Sequence, residues 1–518
     1  MISQTEKLHP KGEKIEPSMW VDEAIWGHRL YDEQTPWLIY LEFLNVFVYE
    51  DSFDRAFEEP DGFNTITYAP ERRLYLRNMI FNYPIAKLER ITRDNNRDAE
   101  RWRIWTEEMA NIQQGLINPK YDYLQDHFDS FEDFVEVVKV IHSTSLEIES
   151  NKRWTSKFIF PYCNEALFED LDKNARTNDR RFFGRTGELL YLMFCRATNK
   201  YELRKLLKDK LLEQETIWTT IIKCLQPENE DTPTRKAAGF LPYKTHNIFD
   251  DIVNDWINIL SLNMPGYDLI PHLVRLTGLH MLLYQQKLAR EELDSEWPSY
   301  LISEIVAPRK TLVRELSIEC YQENNTLSLK TVNHYVDRIM NSEGWKEAIN
   351  SNAPYQNSKE FLIRTVKWPR KESDYEGVLE PESLVDTLRQ SVKKRHQQHV
   401  GNIHRVYGRE IGLISKRGTN KLRYAPTDEL LKTLILTNVN QRLELSLFLS
   451  KLFQKYGIVI SDKEAEQMLS IDKGDLDKKA FLANTERLEQ RLSSIGLLRR
   501  LSDGCAYVLN PYSEKLND

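Results

Sequence analysis

The chain has 518 residues, of which 41% are hydrophobic and 29% charged, with 11 Trp, 24 Tyr and 21 Phe. That length exceeds one ordinary core, and the composition excludes a disordered polymer. No apolar run approaches the roughly 18 residues of a spanning helix, and Met1 to Pro17 lacks the apolar stretch of a secretory signal.

Five cysteines (Cys163, Cys195, Cys224, Cys320 and Cys505) are widely spaced and form no C-x-x-C pair. They suit a reducing compartment, so the expected location is the cytoplasm. The net charge of −8 is unevenly spread. From Pro381 to Asp518 there are 23 Lys and Arg against 17 Asp and Glu, whereas the rest holds 48 against 62. An acidic body with a basic end places any nucleic-acid contact at the C-terminal end.

In chain order, residues 1–17 read as a loose arm and 18–225 as an aromatic-rich helical domain. Trp37 to Leu44 is a nearly continuous apolar run that must be buried. Phe131, Phe134, Val135, Val138 and Ile141 recur three or four apart, marking one face of a helix, and Thr186 to Ala197 reads as a core helix. Residues 226–236, with acids between Pro227 and Pro233, read as a linker or exposed loop. Residues 237–350 form a second helical domain. In it, helices over Ile248–Leu262 and Leu269–Leu288 are joined by the turn at Met264-Pro265-Gly266, as in a helical hairpin. Residues 351–380 read as a linker.

The C-terminal part repeats a pattern. Ile411-Gly412-Leu413-Ile414 precedes a basic stretch that ends at Ala425-Pro426, and Ile495-Gly496-Leu497-Leu498 precedes one that ends at Asn510-Pro511. A charged helix comes before each. Gly412 and Gly496 suit a helix end at positive φ. The apolar runs that follow flank Arg417-Gly418-Thr419-Asn420 and Ser502-Asp503-Gly504, the turn chemistry of tight hairpins. Residues 381–426 therefore read as a basic helix plus hairpin. Residues 427–518 read more fully: a helix capped by Thr427, a helix over Gln441–Tyr456, a strand at Ile458–Ile460, a helix begun by Ser461 with Glu464, and a helix over Lys478–Ile495 running into a hairpin. This order resembles the broad winged-helix class. The expected fold is thus mainly α, a multi-domain helical body with C-terminal winged-helix domains in tandem.

Ten Lys and Arg and a single acid, Glu410, lie between Arg389 and Arg423. The candidate nucleic-acid contacts are Lys393, Lys394, Arg395, Arg405, Arg409, Lys416, Arg417, Lys421 and Arg423, joined by Arg499 and Arg500 of the second hairpin. Such residues grip phosphates without reading sequence. The plainer alternatives are a solvated face or a winged helix that docks a protein.

Catalytic patterns are few. No G-x-x-x-x-G-K-[ST] occurs, and Phe183-Gly184-Arg185-Thr186-Gly187-Glu188 reads as a packing turn with Thr186 or Asp179 as cap. His396, His399 and His404 have only Glu410 nearby to complete a metal site, so no metal is expected. His9-Pro10-Lys11 would need Glu16 as its distal acid, in a tail not expected to be ordered. Arg275 and His280 have the R-x4-H spacing of a helical ribonuclease class. Residues five apart on a helix diverge by about 140°, and His280 sits among leucines, so a packing role is expected.

The reading is a non-catalytic adaptor or scaffold subunit without cofactors. It binds DNA, or RNA, through its C-terminal basic region. Its other partners would be protein subunits, an ATPase or nuclease among them, and no membrane. Proteins of this build serve bacterial DNA-processing and anti-phage assemblies. The alternatives are a nuclease with an active site in the helical body, and a transcriptional regulator.

Overall fold

The apolar run at Trp37–Leu44 lies inside the helix Pro36–Ser52, which Pro36 opens at its first turn, and every residue from Leu38 to Phe47 is buried. A helix with no polar face must be wrapped by others, and the computed structural model shows what wraps it. It describes residues 16–58, 66–112, 115–145, 160–169, 185–213, 215–228, 235–237, 240–295, 299–370, 379–416, 421–469, 477–502 and 505–513. The protein is mainly helical, with small sheets concentrated toward the C-terminus.

The helices Thr186–Cys195 and Gly266–Glu292 both pack against Pro36–Ser52. Asn247–Leu260 and Gly266–Glu292 form the hairpin read from the sequence. Leu312–Asn341, 30 residues long, packs on Gly266–Glu292 and on Pro381–Gln398. One apolar cluster runs through all of these, from Trp20 to Val508. A second, built on Trp102, Trp105, Phe131, Phe134 and Val138, occupies residues 76–225.

Small sheets tie distant segments together. Ile66–Tyr68 pairs antiparallel with Arg235–Ala237, and Leu301–Ile302 pairs parallel with Ile458–Val459. Toward the C-terminus, the helix Asp428–Asn438, capped by Thr427 Oγ1, leads to the strand Arg442–Glu444 and the helix Leu445–Tyr456. The helix expected from Gln441 thus begins at Leu445. Arg442–Glu444 is extended because it pairs with Tyr507–Leu509. Asp462–Leu469 and Lys478–Ser494 follow, then the antiparallel strands Leu498–Ser502 and Cys505–Leu509. Gly412 (φ +79°) and Gly496 (φ +74°) take the left-handed conformation expected of them. At Gly412 a Cβ would also run into the side chain of Thr427.

Three buried carboxylates fix the C-terminal elements to the body. Asp22 meets His396 Nδ1 at 3.0 Å, while Ser328 meets the other ring nitrogen. Asp255 accepts from Tyr456 at 2.8 Å, pairs with Lys455, and contacts His280 at 2.7 Å. Glu304 pairs with Arg314 at 2.8 Å and with Arg423.

Two other buried histidines are held neutral. Gln286 donates to His404 Nδ1 at 3.2 Å, which leaves Nε2–H to donate to the Tyr424 hydroxyl at 2.7 Å. Burial alone pushes His404 down to about 3. Burial, with Arg275 and Lys432 nearby, pushes His272 down to about 4. The unfolded chain therefore binds protons that the folded one refuses. Stability contributed by these two sites is whole above pH 7 and is lost as pH falls from about 6.5 toward about 4 at His272 and about 3 at His404, at up to about 1.4 kcal/mol per pH unit for each histidine. Denaturant midpoints between pH 7 and 5 should fall, and His272→Gln or His404→Gln should flatten that decline. A decline unchanged in both variants would assign it to other groups.

Candidate nucleic-acid interface

Leu384, Leu388, Val392 and His396, spaced by four, bury one face of Pro381–Gln398. That spacing turns Lys393 and Lys394 outward, where both are exposed. Arg395, half-buried, lies over the Tyr31 ring at 5.5 Å and donates to its hydroxyl at 2.7 Å. It is spent on packing. Arg389 pairs with Asp337 at 2.6 Å.

The next helix, Ile403–Glu410, buries Ile403, His404, Tyr407 and Gly408. Gly408 is bare because the Ile414 side chain fills the place of its Cβ. Arg405 and Arg409, one turn apart, project from the opposite side and are exposed. The helix that carries them packs against Leu312–Asn341. Arg405 donates to Asn402 Oδ1 at 2.9 Å, and Asn402 donates back to the Gln397 carbonyl at 3.0 Å. Hydrogen bonds thus link the end of Pro381–Gln398, one turn beyond Lys394, to Arg405, and Arg409 lies one turn further on the same helix.

In the first hairpin, Ile414 pairs with Tyr424 and Ser415 with Arg423. Lys416 and Lys421 are exposed beside it. Arg417 lies outside the described residues. Arg423 is not where a wing cation was expected. It is 1% exposed and paired with Glu304, because the strand is packed against Leu312–Asn341, where Ser317 bonds both backbone groups of Tyr424. Its partner is 119 residues away, so no local pattern signals it. No carboxylate among the described residues lies within ion-pair distance of Lys393, Lys394, Arg405, Arg409, Lys416 or Lys421.

The second helix and hairpin carry a different balance. Phe481, Asn484, Leu488 and Leu492 face inward on Lys478–Ser494, leaving Lys479, Leu482, Glu486 and Gln490 exposed. Arg500 pairs with Glu489 at 2.5 Å, Lys478 with Glu466 and Arg491 with Asp428. Arg499 is exposed.

The remaining motifs are taken up by packing. His280 is bound to Asp255, whereas Arg275 donates to the Pro271 carbonyl at 3.3 Å and burial lowers its pKa. His396, His399 and His404 have separate surroundings: Asp22 and Ser328, Asp32 at 3.8 Å, and Gln286 with Tyr424. No group of three metal-ligating side chains occurs among the described residues. Thr186 opens the helix Thr186–Cys195, and the buried Glu42 carboxylate accepts from the backbone N–H groups of Arg185 (3.0 Å) and Gly187 (2.7 Å). That carboxyl, pushed up to about 8 by burial and the nearby Glu188, occupies the place an anionic ligand would want. Phe183, Gly184, Asp179, His9 and Lys11 lie outside the described residues.

Residues 319–510, which hold every candidate cation from Lys393 to Arg500, match the family described as methylation-associated defense system protein MAD7. The likeness to that family is confined to this segment. That segment begins inside the Leu312–Asn341 helix and ends one residue after the last strand, so it takes in both helix–hairpin units but not the aromatic-rich helices before them. No curated protein and no solved structure matches the chain. Among the described residues, no helix is long and apolar enough to cross a membrane.

Proposed function

We propose that the chain is a non-catalytic adaptor of an anti-phage defence assembly, holding nucleic acid, DNA before RNA, on its C-terminal basic region. The observation that carries this reading is the set of exposed cations at Lys393, Lys394, Arg405, Arg409, Lys416 and Lys421, with no carboxylate partner among the described residues, within the MAD7-type segment. Exposed bases are usually mixed with acids on a surface. A run of six with a single acid, Glu410, among them costs self-repulsion unless a polyanion offsets it.

The helix–hairpin units at 403–424 and 428–509 are read as winged helices. In support, the strand Arg442–Glu444 joins the last hairpin in a three-stranded sheet whose order places Cys505–Leu509 in the middle. The adaptor reading, rather than a nuclease, is favoured by the fate of the candidate catalytic groups. Arg275, His280, His396 and His404 all serve packing contacts. Chemistry would then come from partner subunits, an ATPase or nuclease, in the cytoplasm, where the free thiols stay reduced.

The test is to incubate the purified chain with duplex DNA and with RNA, with Mg²⁺, at several salt concentrations. Salt-dependent retention of intact nucleic acid is the expected result. Cleavage by the chain alone would replace the adaptor with a nuclease, and absence of retention would remove the nucleic-acid contact.

A further inference from the structure

We infer that the row from Lys393 to Lys421 grips the phosphate backbone of duplex DNA and reads neither base sequence nor base methylation. This rests on the reading above and narrows it to one mode of contact.

A helix that reads bases offers its N-terminal residues to the major groove. In Ile403–Glu410 those residues are Ile403 and His404, 0% and 2% exposed. The preceding turn is tied down as well, since Asn402 N–H donates to the His399 carbonyl and its side chain to Gln397. This helix cannot enter a groove end-on. It can offer only its outer row, Arg405 and Arg409, and Arg405 is already held by Asn402. Those side chains, with Lys393, Lys394, Lys416 and Lys421, match phosphates.

Single strands are held differently, by stacking bases on exposed aromatic rings. The rings beside this row, Tyr321, Tyr407 and Tyr424, are 5%, 0% and 0% exposed: Tyr321 packs on His404, Tyr407 donates to the Tyr31 carbonyl, and Tyr424 accepts from Asn324. They offer no platform.

The helix Lys478–Ser494 is better placed to enter a groove, but its outward row includes Glu486, and Lys478, Arg491 and Arg500 are neutralised by neighbouring acids. It adds little attraction for phosphate. Methyl groups on adenine or cytosine lie on base edges in the groove, out of reach of side chains bound to phosphate. Recognition of the methyl mark would then fall to another subunit.

The experiment is a competition assay on the full chain bound to a labelled DNA duplex. The competitors are an unlabelled duplex of unrelated sequence, the labelled sequence methylated at adenine N6 and cytosine C5, and a single strand with the same number of phosphates. The two duplexes should compete within about twofold of the unlabelled parent, and the single strand should compete less well. A single base-pair readout is worth about 1–3 kcal/mol, on the order of tenfold or more. A tenfold preference for one sequence or for the methylated duplex would overturn the inference while leaving the adaptor reading intact. Stronger competition by the single strand would do the same. Failure to bind any duplex would overturn both.

Discussion

The fourfold variant Arg405→Glu, Arg409→Glu, Lys416→Glu and Lys421→Glu is expected to lose measurable duplex binding while keeping its fold. All four side chains are exposed and none has an acidic partner among the described residues, so reversal breaks no ion pair seen in the fold. Substitutions at such places usually change stability by less than about 0.5 kcal/mol each. The effect on binding is far larger. Each phosphate contact contributes about 0.9 to the slope of log K against log salt on duplex DNA, so removing four flattens it by up to about 3.6. Reversal also adds four repulsions. The matched control reverses Lys120, Lys205, Lys330 and Lys346, which are equally exposed in the body. Equal binding by the two variants would move the contact off this row and favour protein docking by the C-terminal units.

Glu304→Ala is expected to give a large loss of stability, about 3–5 kcal/mol, seen as a lower urea midpoint. The size follows from what is left behind. Arg423, 1% exposed, and Arg314, 11% exposed, would share a dry site with no carboxylate to meet them. The hairpin that carries Lys416 and Lys421 should loosen with it. Adding Arg423→Met should recover part of the loss, because an apolar side chain of similar length removes the stranded charge. An unchanged midpoint in Glu304→Ala would mean that the hairpin is not anchored through this pair.

What the sequence made legible was local. The five apolar residues at Phe131, Phe134, Val135, Val138 and Ile141 are all buried on the helix Phe131–Ser145. The turn after Met264 joins two helices, and Gly412 and Gly496 end helices at positive φ. Each of those signals lies within one or two turns of its consequence. The misses involve partners remote along the chain. Arg442–Glu444 reads as the start of a helix until the strand at Cys505–Leu509 is beside it. Arg423 looks like any other base in a basic run, since nothing near it announces Glu304. Likewise His396 sits in a cluster of three histidines, yet its contacts are Asp22 and Ser328. Charge in a sequence marks where a polyanion could bind, and only the fold separates the cations spent on packing, Arg395 and Arg423, from those left for a ligand.

Lysine protection tests the central claim most directly. The full chain, free and saturated with duplex DNA at low salt, would be treated briefly with an amine-acetylating reagent and the modified positions mapped by mass spectrometry. Protection is expected at Lys393, Lys394, Lys416 and Lys421, with Lys463 and Lys479, exposed on the second unit, reacting as they do in the free chain. Protection of Lys463 and Lys479 with Lys416 and Lys421 unchanged would contradict the account and place the nucleic acid on the last helix and hairpin.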